Sequence, residues 1–365
     1  MNKKTCIITG IGGQDACIMA SILLGKGWTV YGLTRPTTNK NFWRLDEEGI
    51  LYHPKLNIVE CDITDCTGIF NIVGKVQPEW FINLAAISAV GTSFDSPMQT
   101  ANTDAMGPLY CLEAIRQLSP ETRFYQASTS EMVANSKNHD GLGNEDTKMI
   151  PRSPYAAAKL FAHNMVGIYR DAYNIFACSS ILYNHSSKYR GEYFVERKIC
   201  KYVAELYLGI NEPYLYLGNL KASRDIGHAA DYMRGVYYML EHNIPDDYTL
   251  ATGNTYTIEQ ILDIAFDHIG KNWEDYVKID PKFYRPCEVH HLVGDYSKAR
   301  DILKWEPIYN IQMIIEELVK ADIDRIEKKS PTLSQQIKIM DREFEKYKKE
   351  NALIINKIGV HKGCI

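Results

Sequence analysis

The chain has 365 residues; 41 basic and 45 acidic side chains leave a net charge of −4, and 45% of the residues are hydrophobic. That length can bury one large core or two moderate ones, and no basic stripe marks a nucleic-acid binder. The nine cysteines show no Cys-x-x-Cys pair and no repeating spacing, so neither a disulfide framework nor a zinc site is expected. Met1-Asn2-Lys3-Lys4 leads directly into an apolar strand, and no apolar run is long enough to span a bilayer, so a soluble cytoplasmic protein is expected.

The first half alternates short β-rich runs with helical periods, the pattern of a parallel sheet with helices on both faces. Strands are expected at Thr5–Thr9, Thr29–Thr34, Leu56–Glu60, Trp80–Asn83, Arg123–Ala127 and Ile175–Leu182. Helices are expected at Asp15–Lys26, Thr64–Val76, Thr100–Leu118 and Tyr155–Tyr173. The fold class is therefore α/β, a Rossmann-type doubly wound parallel sheet that binds its ligands beyond the carboxyl ends of the strands. After Tyr183 the pattern is less regular, with Gly, Pro, aromatic residues and short helices. From about Asp324 the composition turns charge-rich through Glu350, which predicts a solvated or subunit-contacting helix rather than a core one.

Gly10-Ile11-Gly12-Gly13-Gln14-Asp15-Ala16 follows the first strand and opens a helix, the context a dinucleotide-binding turn requires. Gly10 can make the tight turn, Gly13 lets the backbone approach a pyrophosphate, and the helix N-terminus offers free N–H groups. The usual third glycine is Ala16, at a position that serves helix–sheet packing. The second strand ends in Gly32-Leu33-Thr34-Arg35, where an enzyme of the NAD type carries an acidic residue for the ribose. Arg35 can instead pair with a 2′-phosphate, which favours NADP and leaves NAD open.

Two stretches fall at carboxyl ends of strands, Asn83-Leu84-Ala85-Ala86 and Ser128-Thr129-Ser130-Glu131. Downstream, Tyr155 and Lys159 share one helix face. An ammonium beside a phenol favours the phenolate and lowers the tyrosine pKa, making Tyr155 a base near neutral pH. The Tyr-x-x-x-Lys spacing is weak alone; behind a nucleotide turn and an isolated Ser-Thr-Ser-Glu it becomes specific.

With these residues the chain resembles the extended short-chain dehydrogenase/reductases, and within them the GDP-mannose 4,6-dehydratases, from about Lys4 to about Ile326. Further matches are Pro151-Arg152-Ser153-Pro154-Tyr155, Phe194-Val195-Glu196-Arg197-Lys198, Leu217-Gly218-Asn219-Leu220, Arg224-Asp225-Ile226-Gly227-His228-Ala229 and Arg285-Pro286-Cys287-Glu288-Val289. The resemblance implies a Rossmann domain of residues 1–183 plus about 224–252, and a smaller α/β domain for the sugar nucleotide of about 184–223 plus 253–325. Residues 326–365 form a C-terminal extension with no carried-over role.

By the same resemblance, Thr129, Glu131, Tyr155 and Lys159 are the catalytic set. Tyr155 takes the O4 proton while hydride leaves C4, Lys159 tunes it and holds the nicotinamide ribose, and Thr129 orients O4. Glu131 takes the C5 proton and helps hydroxide leave C6, as a carboxylate and its acid form can. Gly10, Gly13, Gln14, Asp15, Arg35, Asp62, Ile63 and Lys159 are the expected cofactor residues; Asp62 matches an adenine-capping position, although it could equally N-cap the next helix. Ser88 matches a sugar contact. Asn184, Lys198, Arg224 and Arg285 match the diphosphate region, Glu288 the nucleotide ribose, and Val195, Leu217 and Asn219 the base pocket. Related dehydratases are dimers or tetramers in which the segment after the second strand reaches a neighbour's cofactor site. Pro36–Arg44, with Lys40, Trp43 and Arg44, suits that role, so a homotetramer or homodimer is expected.

Two departures bear on the sugar. After Glu131 the family continues with an aromatic residue and a glycine, whereas this chain has Met132-Val133-Ala134. Beside Ser88 the family's Gln and His are replaced by Ile87 and Ala89. Both changes predict a more apolar sugar pocket and leave a manno-heptose open beside mannose. His185, His228, His290 and His291 share no regular spacing with an acidic partner, so no metal is expected. The competing readings are a nucleotide-sugar 4-dehydrogenase or epimerase using Tyr155 and Lys159, and a non-catalytic NADP-binding regulator.

Overall fold

Five consecutive buried residues, Thr-Cys-Ile-Ile-Thr, make β1 (Thr5–Thr9) a strand suited to the middle of a parallel sheet covered on both faces. It occupies that place in this computed structural model, which describes residues 4–38, 41–133, 142–210, 213–283 and 291–329. After β1 come α1 (Gln14–Gly25), β2 (Thr29–Thr34), α2 (Trp43–Glu47), β3 (Leu56–Glu60), α3 (Cys66–Val76) and β4 (Trp80–Asn83). Next are α4 (Val90–Asp95), α5 (Pro97–Ala101), α6 (Gly107–Leu118), β5 (Arg123–Ala127), β6 (Leu142–Gly143), α7 (Pro154–Tyr173) and β7 (Ala177–Leu182). The chain continues through β8 (Asn184–Ser186), α8 (Val195–Tyr207), β9 (Leu215–Leu217), β10 (Ser223–His228), α9 (Ala229–Glu241) and β11 (Tyr248–Leu250). It ends with β12 (Thr255–Thr257), α10 (Ile258–Asp267), β13 (Val277–Ile279), β14 (Val293–Gly294) and α11 (Ile311–Lys329).

Seven parallel strands form the main sheet in the order β11-β7-β5-β4-β1-β2-β3. Strand order reverses between β1 and β4, and the crevice beyond their carboxyl ends is where such sheets bind ligands. Met19 and Leu23 of α1 join Val236 and Leu240 of α9 in one core. Ile69 and Val73 of α3, Leu112 and Ile115 of α6 and Val166 of α7 fill a second. The expected doubly wound sheet is thus present.

A third core joins Ile199 and Val203 of α8, Ile261 and Leu262 of α10 and Ile314 and Leu318 of α11. Beside it, β10 pairs in parallel with β8 and antiparallel with β12. Residues 224–228, assigned from the sequence to the larger unit, therefore sit in the smaller sheet, and the chain rejoins the large one with α9 and β11. The charge-rich C-terminal helix begins inside α11, and Arg325 on it pairs with Glu47 of α2 at 2.7 Å. Residues 330–365 lie outside the described part. None of the described helices is long and apolar enough to cross a membrane.

Candidate active site

The glycine turn is built by backbone geometry. Gly10 has φ +69°, a conformation L side chains rarely adopt, and a Cβ there would stand 3.0 Å from the Ala85 Cα. Gly13 N–H closes the turn on Gly10 O at 2.8 Å, and no side chain caps α1. Its first N–H groups therefore have no intrahelical partner and are available to an anion. The Thr9 hydroxyl, which donates to Asn83 Oδ1, accepts from Leu84 N and Ala85 N at 3.0 and 2.9 Å. Asn83 in turn donates to Gln126 at 2.7 Å, so the carboxyl ends of β1, β4 and β5 are tied across the switch point.

The side chains of Gln14 and Asp15 are engaged within the protein. Gln14 Oε1 accepts from Ser187 N and Ser187 Oγ, both at 3.0 Å, and Asp15 Oδ2 meets His185 Nε2 at 3.0 Å. Burial works against the Asp15 carboxylate, yet the His185 imidazole beside it holds its pKa below the ordinary value. Of these two residues the backbone N–H groups are left to serve a phosphate. Arg35 is exposed just beyond β2. Asp62 accepts from the N–H and hydroxyl of Thr64, whereas the cap of α3 is Asp65, which accepts from Gly68 N at 3.0 Å. The alternative role of Asp62 as helix cap is thereby removed. Ile63 is 5% exposed, and its side chain lies in the second core against Gly107.

At the end of β5, Thr129 Oγ1 accepts from Glu131 N at 3.3 Å and caps the 3-10 turn Ser130–Met132. The same hydroxyl is hydrogen-bonded to the Tyr155 phenol, which favours its ionised form. Glu131 is near enough to act on Tyr155 by its charge. Three expected catalytic side chains are thus brought together. Lys159 follows one turn later, with Nζ 5.8 Å from the Tyr155 ring centre and donating to Ala127 O at 3.0 Å. The expected depression of the Tyr155 pKa is reversed: burial, then the Asp104 charge, hold the phenol well above its ordinary value. Burial likewise lowers Lys159, against the charges of Asp104 and Asp15.

Arg190 was not read from the sequence, and it supplies positive charge to both Tyr155 and Asp15. Its Nε donates to buried Glu196 at 2.9 Å, and its guanidinium lies 3.5 Å over the Phe194 ring. An arginine just past a strand at the sheet's carboxyl edge was the available signal. His163 was also missed. Its Nδ1 meets Ser128 Oγ at 3.2 Å and Ser179 Oγ at 2.8 Å, and Ser179 donates to Asp247, so a buried network on α7 and β7 holds the start of the catalytic loop.

The expected substrate residues converge less tightly. Ser88 is exposed in the loop after β4, and Asn184 lies on β8. Val195 opens α8, whose N-terminus has no side-chain cap. Lys198 donates to Tyr216 O at 2.6 Å and lies 4.0 Å over Phe283, so it ties α8 to β9. Leu217, 3% exposed, is part of the third core, and Asn219 accepts from Lys221 N at 3.0 Å in a turn. Arg224 is buried on β10 and donates to Ser223 O at 2.9 Å. Arg285, Glu288, Lys40 and His290 lie outside the described residues. Met132 and Val133 are buried in the first core, so these two residues of the departure after Glu131 do not line a sugar pocket as expected, and Ala134 lies outside the described residues. His185 pairs with Asp15, His228 with Glu317 at 2.7 Å, and His291 with Ser223 at 2.7 Å.

The seven-stranded sheet, the glycine turn and the Thr129–Tyr155–Lys159 arrangement define an extended short-chain dehydrogenase/reductase. Residues 7–318 match the family described as GDP-mannose 4,6 dehydratase. GDP-mannose 4,6 dehydratase 2 of Arabidopsis thaliana is 40% identical over 330 residues, covering 88% of this chain and 87% of that protein. GDP-mannose 4,6-dehydratase of Sinorhizobium fredii is 40% identical over 344 residues, covering 88% and 97%. Among solved structures, a dTDP-glucose 4,6-dehydratase from Bacillus anthracis in complex with NAD superposes with a TM-score of 0.76 at 20% identity, covering 89% of this chain and 97% of that one. The chain belongs to the GDP-mannose 4,6-dehydratase family.

Proposed function

We propose that this protein converts GDP-mannose to its 4-keto-6-deoxy product, with NADP as a hydride carrier that is regenerated in each turnover. The observation that carries this reading is the junction of Thr129, Tyr155 and Glu131 at one strand end: two groups able to move protons, one of them a carboxylate that plain oxidation at C4 does not need. The dinucleotide fits the turn, since Gly10 leaves no room for a side chain beside Ala85 and α1 presents uncapped N–H groups. Exposed Arg35 suits a 2′-phosphate, Arg190 suits a diphosphate, and the named relatives act on GDP-mannose.

When bound, the nicotinamide accepts hydride from C4 and returns it at C6. Tyr155 takes the proton from O4, and the Thr129 hydroxyl steadies the phenolate and orients O4. Lys159 holds its ammonium behind Tyr155. Glu131 removes the C5 proton, made acidic by the new ketone, and its acid form protonates the departing C6 hydroxyl, so one water leaves; as hydride arrives at C6, the proton that Tyr155 took goes to C5 and the phenolate is restored. By the resemblance, we assign Arg224 and Lys198 to the GDP diphosphate. We also read the protein as a homo-oligomer, because α7 exposes Phe161, Ile168 and Tyr173 on one molecule.

The test is a split between the bases. Glu131→Gln with GDP-mannose still reduces bound cofactor, seen as absorbance of the reduced nicotinamide, whereas Tyr155→Phe does not. Equal loss in both variants refutes the assignment. Mass and NMR analysis of products from GDP-mannose and GDP-manno-heptose separates dehydration from epimerisation or simple oxidation and decides between the sugars.

A further inference from the structure

β5 carries a residue that a strand buried on both faces does not call for. From Phe124 onward its run Phe-Tyr-Gln-Ala is aromatic or apolar except at Gln126, whose surface is 0% exposed. A buried amide is costly unless both of its ends find partners, and an apolar side chain would avoid that cost. Both ends are partnered. Gln126 lies directly opposite Asn83 in the β4–β5 register, and its Oε1 accepts from Asn83 Nδ2 at 2.7 Å. Its Nε2 donates to Ala127 O at 2.9 Å. The same carbonyl accepts from Lys159 Nζ at 3.0 Å.

The direction of this amide is fixed from outside. The Thr9 hydroxyl accepts from Leu84 N and Ala85 N, so its own proton goes to Asn83 Oδ1. Asn83 therefore turns its NH2 to Gln126, Gln126 turns its oxygen to Asn83, and the NH2 of Gln126 is left for Ala127 O. One hydrogen-bonded chain thus runs from the loop after β4, beside Gly10, to the ammonium on α7. A tie between strands needs only the oxygen end of Gln126. The nitrogen end acts elsewhere, on a carbonyl shared with a lysine that is 3% exposed.

We infer that Gln126 is a positioning residue for Lys159: its amide fixes the Ala127 carbonyl that anchors the ammonium one turn from Tyr155. This rests on the reading of Lys159 as the partner of Tyr155 in C4 oxidation. A carbonyl oxygen has two lone pairs, and with both taken it has no freedom to turn toward another donor. The ammonium then keeps one bond to the protein in a fixed direction and leaves its other protons to the nicotinamide ribose. Losing the Gln126 donor frees the carbonyl, and a displaced ammonium acts less well on both the phenol and the ribose.

The experiment compares the full chain with Gln126→Met, Lys159→Met and the double variant, since methionine has the length of glutamine without its hydrogen bonds. Single-turnover reduction of bound NADP by GDP-mannose slows about tenfold in Gln126→Met, while the KM for GDP-mannose stays within about twofold. On the Lys159→Met background the same change has no further effect on the rate. An equal loss on both backgrounds makes Gln126 a tie between strands and overturns the inference. Gln126→Glu separates the two ends of the amide: when ionised it still accepts from Asn83 but cannot donate to Ala127 O, so reduction is again slower. The original rate in that variant at about pH 8 also overturns the inference. Titration of NADPH fluorescence is independent of turnover. Gln126→Met weakens binding only where Lys159 is present, and equal weakening on both backgrounds refutes the link to Lys159. If Lys159→Met alone reduces cofactor at the original rate, the fault lies in the role read for Lys159, and the titration still decides whether Gln126 acts through it.

Discussion

Arg44→Ala tests how the cofactor turn is held. Arg44 donates to Gly12 O at 2.9 Å and to Tyr189 O at 2.7 Å, and its guanidinium lies 4.6 Å from the Trp43 ring centre. Trp43 also packs edge-on to Tyr189 and carries Arg325 on its ring at 4.7 Å. Both residues thus have partners within their own chain. Hydrogen bonds from a charged donor contribute about 1.5–3 kcal/mol each. With partial exposure and relaxation, the variant is expected to lose about 3 kcal/mol of stability, near the lower end for two such bonds. Without the clamp, a ligand must order Gly12 and its neighbour at about 1–2 kcal/mol per residue. That corresponds to about 2–4 kcal/mol, or cofactor binding weakened by about 30- to 700-fold. Titration of NADPH fluorescence gives the dissociation constant, and thermal unfolding of the same samples gives the stability. A dissociation constant within about twofold of the original refutes the clamp, as does a loss that appears only at concentrations where the protein is oligomeric.

Other outcomes follow from the same geometry. Arg35→Ala should weaken NADP far more than NAD, and comparable loss for both in parallel titrations would show that Arg35 does not read the 2′-phosphate. Thr129→Val removes the hydroxyl bonded to Tyr155 and should slow C4 oxidation by about 10- to 100-fold with little change in KM; stopped-flow reduction at the original rate would exclude that role. Gly10→Ala forces a side chain into φ +69° and against Ala85, at about 1–2 kcal/mol for the backbone alone, and calorimetry should show cofactor binding abolished. Because Tyr155 is held above its ordinary pKa it is protonated at neutral pH. Its ionised fraction, and with it the rate of cofactor reduction, should climb about tenfold per pH unit until the phenol titrates; a flat profile in single turnover contradicts Tyr155 as the base.

The strands were legible because a parallel sheet demands unbroken apolar runs, and five of the six expected strands have the predicted bounds; β7 begins at Ala177 instead of Ile175. Helix starts were less legible where two acidic residues competed: Asp65, not Asp62, caps α3. A π-helical turn at Asn102–Met106 was hidden because residues 100–118 read as one helical period, with Pro108 as the sole sign of a break. Thr129, Glu131 and Tyr155 were legible as local motifs. Asp104 and Arg190 were not, since their importance comes from neighbours distant in the chain. Met132 and Val133 were misjudged for the opposite reason: proximity to Glu131 in sequence suggested the pocket, but the 3-10 turn points them into the core.

The bridge from Gln14 and Asp15 to His185 and Ser187 gives the molecule a thermodynamic property. It links the phosphate turn of the large sheet to β8, a strand of the smaller one that also carries Asn184. Order imposed on either end is order the other end no longer has to supply. By linkage, whatever the nicotinamide cofactor adds to the affinity for the sugar nucleotide, the sugar nucleotide adds in equal measure to the affinity for that cofactor. A protein built this way retains its hydride carrier most firmly while a substrate is present, which is when losing it would strand a half-oxidised sugar.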